Sequence, residues 1–436
     1  MPQSPDAAAR RPWLWSALGA AGILAAAAVV SSQRLFWFDE LFTYYLAVLP
    51  VGEMVGRLRQ GIDHIPPGYF ALVHAALSLP IDPHVAARLP SMAGIALAAA
   101  CTGAFVARRT RPLYGALAAA LLLHTAAFDY AIEARPYGLA LGFFALALLS
   151  WQRAGEPGRG GWSVAGVAVG IGAGISTSYF SSLVVIPIAA GELARIVQRR
   201  AIDWPVALAI TAGSAVALAY LPFVGSSLDG FAALNWASPT PFGFWAVYDE
   251  MTRDLGIVLI AVAACIVIAA ATARGGGTAA ASAVPVAEAV ALAAVVALPL
   301  IGLAVAYAAT NKFTMRYFLG ASLGFAIVPA LVAAWAARQR TRDGRWALAV
   351  AVALFVAVDW LHAAYVLRND GASSGPLRAM LSGQPADLPV AVDDPHRLLT
   401  AAHYDPPQVA RRLWYLIDPE ASHRISRMHY SGATWR

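Results

Sequence analysis

The stretch FWFDELFTYY, residues 36–45, sets two adjacent carboxylates, Asp39 and Glu40, among aromatic residues directly after the first long apolar run. A charged side chain at the edge of a bilayer is costly and is usually retained for function. The rest of the chain consists mainly of hydrophobic runs separated by short polar segments. We therefore expect helices that bring further polar residues to the surface on which Asp39 and Glu40 lie.

The composition is that of an integral membrane protein. Of the 436 residues, 59% are hydrophobic and 13% are charged, whereas soluble domains carry about 25% charged residues. The mean hydropathy is +0.61. Apolar runs of roughly 20 residues recur along the chain, and this length predicts α-helical spans and not a β-barrel. The first run, residues 13–31, is longer than the roughly 7–15 residues of a signal-peptide core, so it is predicted to be an uncleaved anchor.

Net charge and cysteine content argue against nucleic-acid binding and against a disulfide or zinc site. The formal net charge is +6, which we attribute to arginines in cytoplasmic loops and not to a surface for nucleic acid. Cys101 and Cys265 both lie inside apolar runs, where they are expected to be small buried hydrophobic residues. Neither a disulfide framework nor a zinc site is therefore predicted.

The distribution of arginines predicts the topology. If the N-terminus is cytoplasmic because of Arg10 and Arg11, the first span leaves the cytoplasm and Asp39 and Glu40 lie outside. The same assumption places inside the basic clusters Arg108, Arg109 and Arg111; Arg153 and Arg159; Arg195, Arg199 and Arg200; Arg274; and Arg338, Arg340, Arg342 and Arg345. The C-terminal segment is then extracytoplasmic, and the protein is predicted to reside in the cell (plasma or inner) membrane.

About eleven spans are predicted from apolar runs of suitable length. They are residues 13–31, 85–106, 113–130, 138–151, the two arms of 162–197, 204–223, 255–273, 284–308, 318–337 and 346–367. Residues 36–65 are predicted to form short amphipathic helices on the outer surface. Residues 66–79 are apolar but only about 14 residues long, too short for a span, so we predict a re-entrant or interfacial segment.

The predicted fold is an all-α membrane protein, a polytopic helical bundle with a small extracytoplasmic α/β tail. Residues 1–367 form the transmembrane domain, with a first outer loop at 32–84, and residues 368–436 form the C-terminal region. The elements predicted in that region are a strand at 388–392, a helix that begins with Asp394 as N-cap and Pro395 in its first turn, and a strand at 411–417.

The polar residues on the outer side come from separate loops. They are Asp39 and Glu40, Asp63 and His64, Glu133 and Arg135, and Lys312 and Arg316. Each has an ordinary explanation when taken alone, because carboxylates cap surface helices, histidines lie at interfaces, and long basic side chains extend to lipid headgroups. Together, on loops that a rigid helical scaffold holds, they form the arrangement that a catalytic or binding site needs.

Motif strings in a fixed order give a more specific indication. They are FDE at 38–40, DHIPPGYF at 63–70, EARPY at 133–137 and MRYFLGASLGFAIVPAL at 315–331. In this series the sequence resembles the GT-C superfamily of glycosyltransferases. It is most similar to the branch that contains protein O-mannosyltransferases, lipid A aminoarabinose transferases and lipopolysaccharide-core galacturonosyltransferases. The resemblance covers nearly the whole membrane part, residues 13–367, and implies a GT-C-type fold.

The resemblance also implies a polyprenyl-phosphate-linked sugar donor, an active site at the extracytoplasmic face and inversion at the anomeric carbon. By position, Asp39 matches the catalytic aspartate of the first loop, and Glu40 is its usual neighbour, so both are predicted to be catalytic. The residues predicted to bind substrate are Asp63, His64, Glu133, Arg135, Tyr137, Lys312, Arg316 and Tyr317. The sequence departs from the family where Ile65 separates His64 from the two prolines that follow, which leaves the role of His64 open.

The chemistry of such a transfer agrees with these residue types. A carboxylate within hydrogen-bond reach takes the proton of the acceptor hydroxyl, and we predict Asp39 for this role. The leaving phosphate gains negative charge in the transition state, which Arg135, Lys312 and Arg316 are predicted to stabilise. A lipid-facing apolar groove between helices would hold the polyprenyl chain. Adjacent acids also suit a divalent metal ion, but no full ligand set is evident and no cofactor is certain.

Two alternative functions remain open. A transporter or flippase for a lipid-linked substrate would have charges near the membrane midplane and paired halves. The best intramembrane acids, Glu288 and Asp359, both lie near the ends of predicted spans. A lipid-linked glycan ligase or polymerase would share the lipid substrate but needs no carboxylate base in the first outer loop. The sequence does not indicate whether the acceptor is a glycan, a lipid or a protein.

Overall fold

The computed structural model describes residues 12–224, 237–252, 284–337, 388–392 and 394–415, together with residues 361, 364 and 385. The helices are α1 Pro12–Gln33, α2 Phe38–Ala47, α3 Val51–Arg59, α4 Pro67–Leu77, α5 Pro83–Arg109, α6 Pro112–Leu123, α7 Tyr137–Ala154, α8 Gly161–Thr177, α9 Val185–Arg199, α10 Trp204–Ala215, α11 Gly243–Thr252, α12 Val286–Val296, α13 Leu298–Val305, α14 Ala321–Ala337, α15 Pro395–Tyr404 and α16 Pro407–Ala410. The strands are β1 Val390–Val392 and β2 Leu413–Tyr415, and short 3-10 turns are at Asp129–Ala131, Tyr179–Val184, Val216–Tyr220 and Met315–Phe318.

Several helices are long and apolar enough to cross a membrane, which agrees with the predicted membrane protein. In the described part of the chain there are 3 such helices, or up to 5 if each bent pair is one span. The helices are Pro83–Arg109, Tyr179–Arg199 and Trp204–Val224, and the bent pairs are Ala21–Gln33 with Phe38–Ala47 and Val286–Val296 with Leu298–Thr310. The predicted number of about eleven spans is not confirmed, and the predicted spans 255–273 and 346–367 fall wholly or largely outside the described residues.

The first predicted outer loop consists of short helices. The chain bends by 98° between residues 21–33 of α1 and α2, so α2 does not continue the first span. The next helix, α3, has Met54 and Leu58 buried on one face, as expected for an amphipathic surface helix. With 11 residues, α4 is about 16 Å long at 1.5 Å per residue, too short to cross a hydrocarbon core of about 30 Å.

Two predicted spans are interrupted in the structure. The run 113–130 is a helix only as far as Leu123, because Thr125 turns the chain: its hydroxyl donates to the Leu122 carbonyl at 2.6 Å and accepts from the Ala127 N–H at 3.1 Å. Such local side-chain bonds compete with helical ones. The run 284–308 bends by 55° between α12 and α13, where Pro299 lacks the N–H that a continuous helix requires.

The bundle is built around α5. This helix packs against α1, α4, α6 and α7, and its approach to α7 is close because both helices carry glycine at the crossing. A Cβ on Gly94 would lie 2.2 Å from the Cα of Leu139, and a Cβ on Gly142 would lie 2.4 Å from the carbonyl oxygen of Gly94. Small residues at a crossing let helix backbones approach in this way. The α5–α7 contact thereby fixes where α7 begins.

Helix ends and loops with predicted cytoplasmic arginines meet at one end of the bundle, which we call the basic end. Arg108 and Arg109 in the last turn of α5 contact Glu156 after α7, and Arg199 at the end of α9 donates to the Gly155 carbonyl at 2.6 Å. Arg109 also pairs with Glu288 at the start of α12. Arg10, Arg11, Arg274 and the cluster at 338–345, like Cys265 and Asp359, lie outside the described residues.

The C-terminal region packs on the opposite end. Strands β1 and β2 pair in parallel, with Val390 opposite Leu413 and Val392 opposite Tyr415. Between them lies α15, and the side chain of its N-cap Asp394 accepts a hydrogen bond from the His396 N–H. The Phe36 N–H donates to the Tyr404 hydroxyl at 2.6 Å, which fastens α15 to the beginning of α2.

Candidate functional site

The first turn of α2 presents a carboxylate to two guanidinium groups. The Asp39 carboxylate oxygen Oδ2 lies 3.2 Å from Arg316 Nη1 and 3.9 Å from Arg135 Nε, and the Asp39 side chain is 22% exposed. Arg135 lies in the loop between α6 and α7, and Arg316 lies in the 3-10 turn before α14. Three distant parts of the sequence therefore converge at this carboxylate.

Arg135 is the most heavily bonded member of this group. Its Nη1 lies 3.3 Å from Asp63 Oδ2, 3.2 Å from the Thr43 hydroxyl and 3.3 Å from the backbone carbonyl of Asp39. Burial by itself would lower the pKa of this guanidinium, but the Asp63 and Asp39 carboxylates outweigh that effect and raise its pKa well above the usual value. Arg135 is therefore a fixed positive charge.

The segment before α4 adds an acid and an imidazole. Asp63 accepts a hydrogen bond from the His64 N–H at 2.6 Å through its Oδ1. Burial lowers the pKa of His64, with Asp63 opposing this shift and Arg135 and Lys312 adding to it. His64 is therefore mainly neutral at pH 7, and its surroundings include the same positive charges that face the carboxylates.

Glu40 occupies a different position from its neighbour Asp39. It is completely buried, and its Oε1 lies 2.6 Å from Arg88 Nε. Its Oε1 also accepts from the Ala134 N–H at 2.7 Å, and its Oε2 accepts from the Trp37 N–H at 3.2 Å. Glu40 thus faces the protein interior, whereas Asp39 is partly exposed.

Glu133 is a second acid at this end. It is partly buried, and among the described residues its carboxylate makes no hydrogen bond or ion pair. Burial, reinforced by the negative charge of Glu40, raises the pKa of Glu133 to about 8, and Arg34 and Arg135 oppose this shift. At pH 7 this group is therefore mainly protonated.

An apolar pocket opens beside Arg316. Its cavity volume is about 40 Å³, and it is lined mainly by aromatic and aliphatic side chains such as Phe144, Phe180, Leu298, Tyr137 and Tyr317. The Tyr317 ring stacks on Phe180 with centroids 3.7 Å apart, and the Arg316 guanidinium lies 5.8 Å from the ring centroid of Tyr137 and also of Tyr317. The pocket therefore has one positively charged group at its wall.

Lys312 lies on the same side but is enclosed. Its side chain is fully buried, and its Nζ donates to the Asn311 carbonyl at 3.4 Å. Burial lowers its pKa. Its positive charge adds to the effects that lower the pKa of His64. Lys312 does not line the pocket beside Arg316.

A divalent metal ion finds no ready ligand set in the described part of the chain. There, no group of three or more histidine, cysteine, aspartate or glutamate side chains is placed to hold an ion. The nearest charged groups to Asp39 are the guanidiniums of Arg135 and Arg316, whereas a divalent ion prefers oxygen ligands.

Sequence reasoning brought forward most of these residues but not all. The structure brings Asp39, Asp63, Arg135 and Arg316 together; Glu133, Tyr137, Lys312 and Tyr317 lie around them. Arg88 and Thr43 were missed. An arginine within the predicted span 85–106 was the available signal for Arg88, because an intramembrane charge needs a partner. No comparable signal marked Thr43.

The fold, a bundle of helices of which several are long and apolar enough to cross a membrane, is shared with solved structures. The structure superimposes on the crystal structure of ArnT from Cupriavidus metallidurans bound to undecaprenyl phosphate, with a TM-score of 0.59 and 12% sequence identity over 92% of this chain and 85% of ArnT. For ArnT from the same organism in the apo state the TM-score is 0.61, with 12% identity over 95% of this chain and 88% of ArnT. No protein-family model and no curated protein sequence matches the chain. The predicted GT-C resemblance is thus confirmed at the level of the fold.

Proposed function

We propose that the protein transfers a sugar from a polyprenyl-phosphate donor to a hydroxyl group of an acceptor, with Asp39 as general base. The observation that carries this proposal is the position of the Asp39 carboxylate, partly exposed and held by Arg135 and Arg316 beside an apolar pocket. An acid, two fixed positive charges and an apolar wall are what a lipid-linked phosphate donor requires.

The pocket suits the two parts of such a donor. Its aromatic and aliphatic lining offers surface to the first isoprene units, and Arg316 at its wall offers a planar pair of N–H donors to the phosphate. The crystal structure of ArnT bound to undecaprenyl phosphate supports a lipid of this class. Tyr137 and Tyr317 flank the guanidinium of Arg316, so we assign them to donor binding as well.

Donor binding would free the base. Before the donor arrives, the guanidiniums of Arg316 and Arg135 lie 3.2 and 3.9 Å from the Asp39 carboxylate. The donor phosphate is a diester with one negative charge, and it competes for the same guanidiniums through charge-assisted bidentate bonds. Asp39 then has a lone pair for the proton of the acceptor hydroxyl.

The transfer itself is a displacement at the anomeric carbon. The acceptor oxygen forms its bond to that carbon while its proton passes to Asp39, and the bond from the carbon to the phosphate oxygen breaks with its electron pair. Polyprenyl phosphate leaves, and the fixed charges of Arg316 and Arg135 stabilise the negative charge that develops on it. Attack from the side opposite the phosphate would invert the anomeric configuration. We assign Asp63, His64, Glu133 and Lys312 to the surrounding substrate site.

We place this site at the extracytoplasmic face. The support is that the arginine-rich loops gather at the opposite, basic end of the bundle, and an excess of Lys and Arg in short loops marks the cytoplasmic side. The C-terminal region, which packs on α2, would then also be extracytoplasmic. Glu288 pairs with Arg109 at the basic end and not at a midplane site, so it does not favour a transporter.

The experiment uses purified protein or membranes supplied with radiolabelled polyprenyl-phosphate sugars. We expect wild type to transfer the label and Asp39→Asn to lose at least about 100-fold in rate, since general-base catalysis contributes roughly that much. Because Asp39→Asn releases Arg316, binding of undecaprenyl phosphate should be retained or strengthened. Transfer by Asp39→Asn at the wild-type rate would remove Asp39 from the role of base.

The matched control is Glu53→Gln. Glu53 is an exposed carboxylate on α3, paired with Arg57 at 3.2 Å within the same helix, and it takes part in no contact of the site described above. Its replacement should leave the transfer rate within about twofold of wild type, as expected for a surface substitution. If no polyprenyl-phosphate sugar is consumed while an acceptor extract is present, the proposed function is wrong.

A further inference from the structure

We infer that the buried ion pair between Arg88 and Glu40 is the positioning element that sets Asp39 and Arg135 relative to each other. This inference rests on the proposed function, because it assigns to the pair the alignment of the proposed base with its guanidinium partner. Neither Arg88 nor Glu40 has any side-chain exposure, so neither touches substrate. Both act through the residues they hold.

The Glu40 carboxylate accepts hydrogen bonds from three parts of the chain. Its Oε1 accepts from Arg88 Nε at 2.6 Å and from the Ala134 N–H at 2.7 Å. Its Oε2 accepts from Arg88 Nη2 at 2.8 Å and from the Trp37 N–H at 3.2 Å. Both carboxylate oxygens are thus held by two donors each. The Trp37 contact is the return bond by which a glutamate in the first turn caps its own helix.

Arg88 uses its remaining N–H groups on the corner between α1 and α2. Its Nη1 donates to the carbonyls of Ser31 and Arg34, both at 2.9 Å, and its Nη2 donates to the Leu35 carbonyl at 3.0 Å. Carbonyls at the end of a helix have no partner within that helix. Arg88 supplies this partner where the chain bends by 98°, and so fixes the direction in which α2 leaves.

The two residues proposed for the chemistry are the direct neighbours of what Glu40 holds. Asp39 precedes Glu40, and Arg135 follows Ala134, whose N–H Glu40 binds. Ser91, one turn beyond Arg88 on α5, also donates to the Arg135 carbonyl at 2.5 Å. One helix therefore holds the backbone on both sides of the 3.9 Å gap between Arg135 Nε and Asp39 Oδ2. Catalytic groups must be held within about 0.5 Å of the geometry in which they react.

A contribution to stability alone is the competing explanation. A buried ion pair is often no more stabilising than apolar side chains of similar volume, whereas loss of one partner leaves an uncompensated charge. The test therefore replaces both partners together, in the double variant Arg88→Met/Glu40→Met. The matched control is Arg109→Met/Glu288→Met, which removes an ion pair with a nearly buried glutamate at the basic end.

The first readout is kinetic. We expect the Arg88→Met/Glu40→Met protein to lose at least about 100-fold in kcat, the effect of roughly 1 Å of misplacement, with affinity for undecaprenyl phosphate within about 3-fold of wild type. A purely structural role would not lower kcat while the affinity for the lipid stays the same. The control should keep both kcat and this affinity.

The second readout does not depend on catalysis. Hydrogen exchange of the peptide that contains Ala134 should accelerate at least about tenfold in Arg88→Met/Glu40→Met, and not in the control, because the Ala134 N–H loses its acceptor. If the double variant does not fold, Glu40→Gln replaces it, since the amide cannot accept from all the N–H donors that face the carboxylate.

The outcomes separate the two proposals. Unchanged kcat or unchanged exchange in a folded variant overturns the positioning role. Wild type that transfers no sugar overturns the proposed function, while the exchange measurement still decides whether the ion pair fixes the loop. A parallel loss of kcat, lipid affinity and thermal stability in both double variants would assign the pair to stability alone.

Discussion

At the scale of single residues, the site separates two neighbouring acids by environment. Asp39 has 22% of its side chain exposed and faces two guanidiniums at 3.2 and 3.9 Å, whereas Glu40 is fully buried in an ion pair with Arg88. A carboxylate enclosed by four donors has no lone pair to offer a substrate proton. We therefore assign proton transfer to Asp39 and positioning to Glu40.

Glu133 gives a prediction about stability and pH. Burial raises its pKa to about 8, so between its unfolded pKa of roughly 4.3 and 8 the folded protein binds a proton that the unfolded chain has released. The stabilisation from this proton is complete below the unfolded pKa and is lost as pH rises through the folded pKa. Glu133→Gln should therefore gain stability relative to wild type as pH rises, by at least about 1 kcal/mol at pH 9.

Thermal unfolding of wild type and Glu133→Gln at pH 5, 7 and 9 checks this expectation. Glu53→Gln, which removes an exposed carboxylate of α3, controls for the loss of one acid at this end. A difference between Glu133→Gln and wild type that is the same at all three pH values would contradict the protonated, buried state of Glu133.

The residues that sequence reasoning found and missed differ in a physical way. Asp39, Arg135 and Arg316 follow apolar runs, so the breaks in hydropathy reveal them. Arg88 is hidden within such a run, and its five N–H groups are satisfied by a carboxylate and three carbonyls that only the folded corner brings together. The residues next to Arg88 in the sequence do not indicate these contacts. The opposite environments of Asp39 and Glu40 were likewise not visible, because adjacent residues have the same sequence context.

At the scale of elements, the close crossing of α5 and α7 supports the site. A Cβ on Gly94 would lie 2.2 Å from the Cα of Leu139 and 2.4 Å from the Gly138 carbonyl oxygen, so Gly94→Ala must push the start of α7 away. Because α7 begins at Tyr137, directly after the Arg135 loop, we expect Gly94→Ala to lower both stability, by about 1–3 kcal/mol, and transfer activity. Gly22→Ala, where a Cβ meets nothing within 4 Å, should change neither.

Thermal unfolding and the transfer assay on the two alanine variants test this expectation. Wild-type stability in Gly94→Ala would mean that α5 and α7 separate without cost.

Hydropathy predicted helices at these positions, but the interruptions of α6 and of the α12–α13 pair were missed. They depend on the hydroxyl of Thr125 and on the missing N–H of Pro299, single groups that a running average of hydropathy does not register.

The docking of α15 gives a prediction with the opposite pH dependence. His403 of α15 contacts the Tyr45 hydroxyl through its Nδ1 at 2.9 Å, and burial, together with nearby His84, lowers the pKa of His403. A histidine whose folded pKa is lowered contributes its full stabilisation above the unfolded pKa of about 6.5 and loses it as pH falls through the folded pKa. We expect α15 to detach more readily at pH 5.5 than at pH 8.

Hydrogen exchange of the α15 peptide, corrected for the intrinsic pH effect, measures this detachment. The variant His403→Gln should show less dependence on pH, because its side chain does not titrate in this range. Equal protection of wild-type α15 at both pH values would contradict the prediction. The Tyr404 hydroxyl accepts a hydrogen bond from the Phe36 N–H at 2.6 Å. This bond is a second point at which α15 is attached to the segment before α2.

At the scale of the whole molecule, the bundle has two chemically different ends. Arginines in the last turns of α5 and α9 pair with Glu156, Glu288 and a backbone carbonyl at the basic end. At the other end, short helices and loops surround Asp39, and the C-terminal region packs against α2.

The orientation of these two ends in the membrane is the last prediction. Gly52 on α3 and Gly160 before α8 are both exposed, and a Cβ at either position meets nothing within 4 Å. They form a matched pair, one at the Asp39 end and one at the basic end. In intact cells, a membrane-impermeant maleimide should label Gly52→Cys and should label Gly160→Cys only after permeabilisation, because short segments rich in arginine are expected on the cytoplasmic side.

The labelling is measured with Cys101 and Cys265 replaced by alanine, so that only the introduced thiol reacts. The reverse pattern would place Asp39 on the cytoplasmic side, where the sugar donor and the acceptor would both have to be cytoplasmic. Transfer activity together with that pattern would leave the carboxylate chemistry intact and overturn the extracytoplasmic assignment. The chemical role of Asp39 and the side on which it acts are thus separable properties, and each is decided by its own measurement.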